Sequence, residues 1–105
     1  MSEVNASEET RTIEREHGPD RGRYVVHFPD GLEAEMTYRR VADGVIAIDH
    51  TFVPPEHRKD GLALKLVERG IADARAENLK IVPECSYVVA QFRRHPEWED
   101  LRATS

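Results

Sequence analysis

Apolar and polar residues alternate with period two along two stretches in the first half of this chain. Tyr24, Val26 and Phe28 alternate with Arg23, Val25 and His27, and Leu32, Ala34, Met36 and Tyr38 alternate with Glu33, Glu35, Thr37 and Arg39. That period predicts strands with one buried face and one wet face. Pro29-Asp30-Gly31 between them supplies a turn, because proline presets φ and glycine accepts a positive one. Ala42-Asp43-Gly44 marks the next turn. Val45-Ile46-Ala47-Ile48 is apolar on both faces, which predicts a central strand from Gly44 to Val53 covered on both sides. Three such strands make an antiparallel meander. Upstream, Thr12 to Glu16 suggests a short edge strand around Ile13, after which Gly18, Pro19, Asp20 and Gly22 break the chain.

Pro54-Pro55 ends the central strand, since neither residue donates to a ladder. After Gly61 the period changes. Ala63, Leu66, Val67, Gly70, Ile71 and Ala74 fall at helical spacing, with Lys65, Glu68, Arg69, Asp73 and Arg75 on the opposite face. The helix is expected from Gly61 to Glu77, with Asn78 as its left-handed terminator. Lys80-Ile81-Val82 is a short strand stopped by Pro83, and a helix-length crossover sets it parallel to the central strand. A second helix follows from Ser86 to Arg94, closed by His95-Pro96, and Trp98 and Leu101 dock the tail. The whole is an α+β domain: a mixed, mainly antiparallel sheet with one βαβ crossover and two helices. In open sheets ligands lie beyond the carboxyl ends of the strands, here at Thr51–Val53 and Val82–Cys85.

Composition narrows the function. A chain of 105 residues makes one domain, assigned to 12–105, and the polar stretch 1–11 reads as a disordered terminus. The net charge of −5 argues against nucleic acid as a partner. The chain has no run of eighteen apolar residues, and Met1 to Ser7 lacks the regions of a signal peptide, so no membrane association and a cytoplasmic location are expected. The single cysteine, Cys85, excludes an internal disulfide, and no Cys/His spacing suggests a metal site.

Two places carry candidate chemistry. The segment from Pro55 to Ala63 joins a buried strand to a long amphipathic helix. Amides at a helix start bind anions. Gly61 leaves the backbone bare there, and Arg58 and Lys59 bring two cations. A plain polar loop is the competing reading, and Asp60 favours it, because an acid caps a helix and repels phosphate. The second place is Cys85, at a strand end and a helix start, where the dipole favours thiolate. A small buried filler is the alternative there.

At the first of these places the chain resembles the acyl-CoA pyrophosphate loop of the GNAT N-acetyltransferase superfamily, through Val53-Pro54-Pro55-Glu56-His57-Arg58-Lys59-Asp60-Gly61-Leu62-Ala63. His50-Thr51-Phe52-Val53-Pro54, Pro83-Glu84-Cys85-Ser86-Tyr87-Val88 and Arg94-His95-Pro96-Glu97 further resemble the small single-domain GNAT-like family with a cysteine after the last strand. The likeness spans roughly residues 23–101. It implies a minimal GNAT-like fold and acetyl-CoA as cosubstrate, with the pantetheine arm in a gap between the central and last strands. Cofactor contacts are then expected from Thr51, Phe52, Val53, Arg58, Lys59, Asp60, Gly61, Leu62, Ala63, Phe92 and Arg93. Lys59-Asp60 stands where the family usually has a second glycine.

On the same map Cys85 faces the thioester, either as a nucleophile or as a lining residue for direct transfer. His50 ends the central strand near the reaction centre, either as a base or as a hydrogen-bonding strand terminator. Phe92 occupies the position where many relatives carry a proton-donating tyrosine, which leaves Tyr87 as a substitute. His27, His57 and His95 read as surface or capping residues. Two functions stay open: an N-acetyltransferase acting on an amine, a protein amine included, or a non-catalytic CoA and acetyl-CoA binding module. The acceptor is unknown, and the chain is expected to be a monomer or weak dimer.

Overall fold

The computed structural model describes residues 12–103, so the terminus expected at 1–11 lies outside the described residues. The elements run β1 (Glu14–His17), β2 (Arg21–His27), β3 (Glu33–Ala42), β4 (Val45–Phe52), a 3-10 segment (Pro55–Asp60), α1 (Leu62–Glu77), β5 (Lys80–Pro83), α2 (Ser86–Arg94) and a second 3-10 segment (Pro96–Leu101). The sheet order is β1-β2-β3-β4-β5. The first four strands pair antiparallel and β5 lies parallel to β4. The right-handed-crossover logic of a strand, a helix and a parallel strand accounts for that last pairing.

The two-residue alternation decides which face each strand buries. Tyr24, Val26, Ala34, Met36, Tyr38, Ile46, Ile48 and Ile81 form one cluster with Leu66, Val67, Ile71 and Ala74 of α1 and Val88 and Phe92 of α2. Trp98 and Leu101 of the tail join it, and Trp98 meets Phe92 edge-on at 5.6 Å. Both helices therefore lie on one face of the sheet. Gly70 brings α1 close to β3, since a Cβ there would stand 2.9 Å from the Met36 methyl. Asn78 takes φ 61 and ψ 42, and its amide closes on the carbonyls of Ala74 and Arg75, so α1 ends where its sequence said it would.

Three expectations needed correction. The edge strand expected at Thr12–Glu16 is present as β1, giving four antiparallel strands, but Gly22, expected to break the chain, sits inside β2. Its missing side chain is what lets the Tyr38 hydroxyl lie against that strand. The hydroxyl is held by Arg15 Nε at 3.0 Å and His17 Nδ1 at 2.7 Å, which ties β1 onto the sheet. The second concerns β4, whose Ile46, Ala47 and Ile48 are buried on both faces as expected, but with a helix layer on one face alone. Ala47 and Val25 are buried yet stand outside the helix-facing cluster. Their cover is a mesh of charged side chains. Arg23 reaches Glu16, Glu33 and Glu35, and Arg39 crosses β4 to Asp49 and Glu84, its aliphatic stem shielding what lies beneath. The third is a bulge. Tyr38 pairs with Ile48 but Thr37 pairs with His50, so Asp49 is an extra residue in β4.

Two measurements check this account. Gly22→Ala, whose Cβ would overlap the Tyr38 hydroxyl and lie 2.6 Å from the Glu16 carbonyl, is expected to lower unfolding stability by about 1–3 kcal/mol, read as a lower urea midpoint at unchanged slope. The Arg39 guanidinium holds the Glu84 carboxyl below the usual glutamate range. A depressed carboxyl contributes stability that is present above its unfolded value and lost as pH falls through its folded one. Arg39→Gln is therefore expected to flatten the acid side of the stability curve, below about pH 4.3, where free glutamates titrate.

Candidate functional site

Strand pairing stops where the site begins. The last ladder partners of β4 and β5 are Ile48 and Pro83. The Ile48 carbonyl then accepts two amides, from Glu84 at 3.0 Å and Cys85 at 3.1 Å. Beyond it β4 continues beside β3 alone, while the other chain turns into α2. Parallel strands that part this way leave a wedge between them.

A cleft of about 350 Å³ opens at that wedge. β4 and its exit supply Thr51, Phe52 and Val53; the following segment and the start of α1 supply Arg58, Gly61, Leu62 and Ala63; α2 supplies Tyr87. Seven of the expected contact residues thus line one cavity. Lys59 and Asp60 are exposed and stand outside it. Phe92 is buried in the core against Trp98, and Arg93 lines a separate cavity of about 190 Å³ beyond α2. Nine residues make two and a half helical turns, so a position chosen by counting from Cys85 can face the core, and Phe92 does.

The start of α1 is chemically bare. Gly61, its N-cap, has φ 67 and ψ 28 and carries no side chain to satisfy the helix amides, and the first turn contains no acid. The leading amides of an α-helix have no partner within it, and its dipole makes that end partly positive. Asp60 does not cap it. Arg58 is fixed beside these amides: its Nε donates to the Val53 carbonyl at 2.8 Å, and its guanidinium carbon lies 5.9 Å from the centroid of Phe52. The wall therefore offers an anion a cation and a set of N–H groups, with apolar Val53, Leu62 and Phe52 alongside.

Cys85 is the N-cap of α2, half-buried, and its Sγ donates to the Thr51 Oγ1 at 3.6 Å. The bulge decides what shares this space. Strict alternation from Ile48 would turn His50 toward the helices. With Asp49 inserted, Thr51 pairs with Met36 on the helix side, and His50 pairs with Thr37 on the other face. His50 there is exposed, 3.6 Å from Glu35. Cys85 and His50, the two expected catalytic residues, thus stand on opposite faces of the sheet. Tyr87 replaces His50 as the ionisable neighbour in the cleft. Burial pushes its hydroxyl above the usual tyrosine range, with Gln91 as a hydrogen-bond partner that works the other way. Phe92 at the usual tyrosine position was the sequence signal for it, and Tyr87, which two residues after Cys85 could equally have faced the core, lines the cleft.

Residues 23–101 match the family model described as GCN5-related N-acetyltransferase. The fold is similar to the solution structure of a GCN5-like protein from Staphylococcus aureus, itself proposed to be an N-acetyltransferase, with a TM-score of 0.67 and 29% sequence identity over 88% of this chain and 89% of that one.

The backbone at Gly61 gives a direct test of the local geometry. A Cβ there would meet nothing within 4 Å, so Gly61→Ala carries only the strain of a positive φ. We expect it to cost about 1–2 kcal/mol in urea unfolding with the helical circular dichroism retained. Gly61→Asn is expected to cost less, since asparagine accepts the left-handed region more readily.

Proposed function

Because the chain belongs to the GCN5-related N-acetyltransferase family, we propose that it transfers acetyl from acetyl-CoA to an amine, with the cleft at the β4–β5 wedge as its cofactor site. The observation that carries this reading is the uncapped start of α1 facing Arg58 across one cavity. The amides of Leu62 and Ala63 and the Arg58 guanidinium suit a pyrophosphate. Free main-chain groups of β4 past Ile48 suit the amide-bearing pantetheine arm, in the manner of an added strand. Acetyl-CoA supplies a thioester with an electrophilic acyl carbon. Acyl transfer to an amine removes a proton from nitrogen and returns one to sulfur. Tyr87, whose side chain lines the cleft, is suited to donate it, and Cys85, hydrogen-bonded to Thr51 of the cleft wall, is suited to act on the acyl group as nucleophile or as lining.

A second reading, a non-catalytic CoA and acetyl-CoA module, draws support from two features. Phe92 is packed into the core, and His50 is on the far face from Cys85.

Calorimetry with acetyl-CoA and with CoA tests the shared part of both readings. Wild type is expected to bind both, and Gly61→Glu, which sets a carboxylate at the bare helix start, to lose at least tenfold in affinity. Absence of wild-type binding would sink both. Intact mass after incubation with acetyl-CoA separates the routes: an acetyl-sized gain that disappears in Cys85→Ala identifies a covalent enzyme. Turnover of an amine panel by Cys85→Ala identifies direct transfer. Binding with no transfer to any amine leaves the module.

A further inference from the structure

The 3-10 segment that precedes α1 is fastened at two consecutive residues. Arg58 ties it to the end of β4 through the Val53 carbonyl. His57, where the segment kinks to φ −119 and ψ 18, ties it to the β2–β3 turn. The imidazole lies flat on Phe28, with ring centroids 3.6 Å apart and planes within 1°. Its Nε2 stands 2.8 Å from the Asp30 Oδ2, and the Asp30 Oδ1 accepts the Leu32 amide at 3.0 Å. Phe28 is itself a core residue, so the stack rests on something fixed. The ring is only 18% exposed, far from the free surface or capping histidine that the sequence suggested.

We propose that His57 is a positioning residue for the cofactor loop, a latch whose protonated ring, stacked on Phe28 and paired with Asp30, holds Arg58 to Ala63 in the geometry that takes an anion. The proposal rests on the reading of the cleft as a CoA site and adds a pH dependence to it. Asp30 stays ionised across the relevant range, because the Leu32 amide and then His57 hold its carboxyl below the usual aspartate range. The pair is therefore ionic only while the ring is charged. A cation over an aromatic face adds attraction that a neutral ring lacks. Imidazoles change charge between about pH 5 and 8, so both contributions fade as pH rises. A neutral His57 keeps the stack and a hydrogen bond, which loosens the latch without releasing it.

The other charged groups around the ring do not replace this effect. Asp30 faces it from the turn, and Glu56, Arg58, Lys59 and Asp60 belong to its own segment. Carboxylates, lysines and arginines as classes do not change charge between about pH 5.5 and 8.5. A loop already ordered before binding loses less entropy when the ligand arrives, so the latch acts on affinity.

Calorimetric titration of acetyl-CoA at pH 5.5, 7.0 and 8.5 tests it, comparing wild type with His57→Gln and Asp30→Asn at each pH so that the ligand's own phosphate titration cancels. Wild type is expected to bind roughly three- to tenfold more tightly than either variant at pH 5.5. The margin is expected to narrow to within twofold at pH 8.5. Thermal melting verifies that each variant folds, and either one alone suffices for the comparison. A ratio that stays constant across pH, at one or at any other value, overturns the latch while leaving the cofactor site standing. If wild type binds neither acetyl-CoA nor CoA at any pH, the cofactor reading fails and the latch falls with it.

Discussion

One carbonyl, that of Ile48, marks the point on which the site depends. It accepts the amides of both Glu84 and Cys85, and it is the last group through which β4 and β5 meet. A parallel ladder normally proceeds residue by residue with evenly spaced bonds. Spending two amides on one acceptor ends that progression, because the next carbonyl of β4 finds no partner on the departing chain. The strands part, α2 begins at Cys85, and the cleft is the space between them. Immediately afterwards Asp49 is inserted against β3 and reverses the faces of His50 and Thr51. The parting and the bulge fall on consecutive residues, so a shift of either by one position would change which side chain meets Cys85.

The charged face of the sheet is the counterpart of this arrangement. Arg39 spans from β3 to Glu84, the residue before Cys85, and also holds Asp49 at the bulge, which Thr37 binds as well. Its guanidinium is held above the usual arginine range by those carboxylates, Glu84 first. Exposed ion pairs of this kind contribute little individually. Their value here is geometric: they tether the bulge to the residue before Cys85 across a face that carries no helix among the described residues.

Much of this architecture was legible in the chain because it rests on local repetition. Tyr24, Val26, Ala34, Met36 and Tyr38 announced a buried face through period two, and Leu66, Val67, Gly70, Ile71 and Ala74 did so at helical spacing. Asn78 and Pro83 announced endings through their backbone preferences. What escaped depends on contacts distant in sequence. Gly22 reads as a breaker until the Tyr38 hydroxyl, sixteen residues on, is seen to need its space. A bulge adds one residue without altering composition, so the facing of His50 could not be counted out from Ile48. Phe92 turned toward Trp98 because the tail supplies that partner. Val45 to Ile48 announced burial on both faces, but not that charged side chains rather than a helix cover Ala47.

The tail has an implication for how the sheet meets other chains. Arg102 bridges Ile81, and the Ala103 amide donates to the Ile81 carbonyl at 2.8 Å, so β5 spends part of its outer edge on its own C-terminal residues. An unpaired strand edge is a template for further strands, whether from another copy or from an unfolded neighbour. Growth at the β5 side is blocked by Arg102 and Ala103. Among the described residues the other edge is β1, whose Glu14-Arg15-Glu16-His17 sequence sets ionisable side chains along its whole length. Arg102 and Ala103 thus keep the edge beside the cleft-forming wedge from pairing with a second chain, which makes that short contact a matter of solubility as much as of fold.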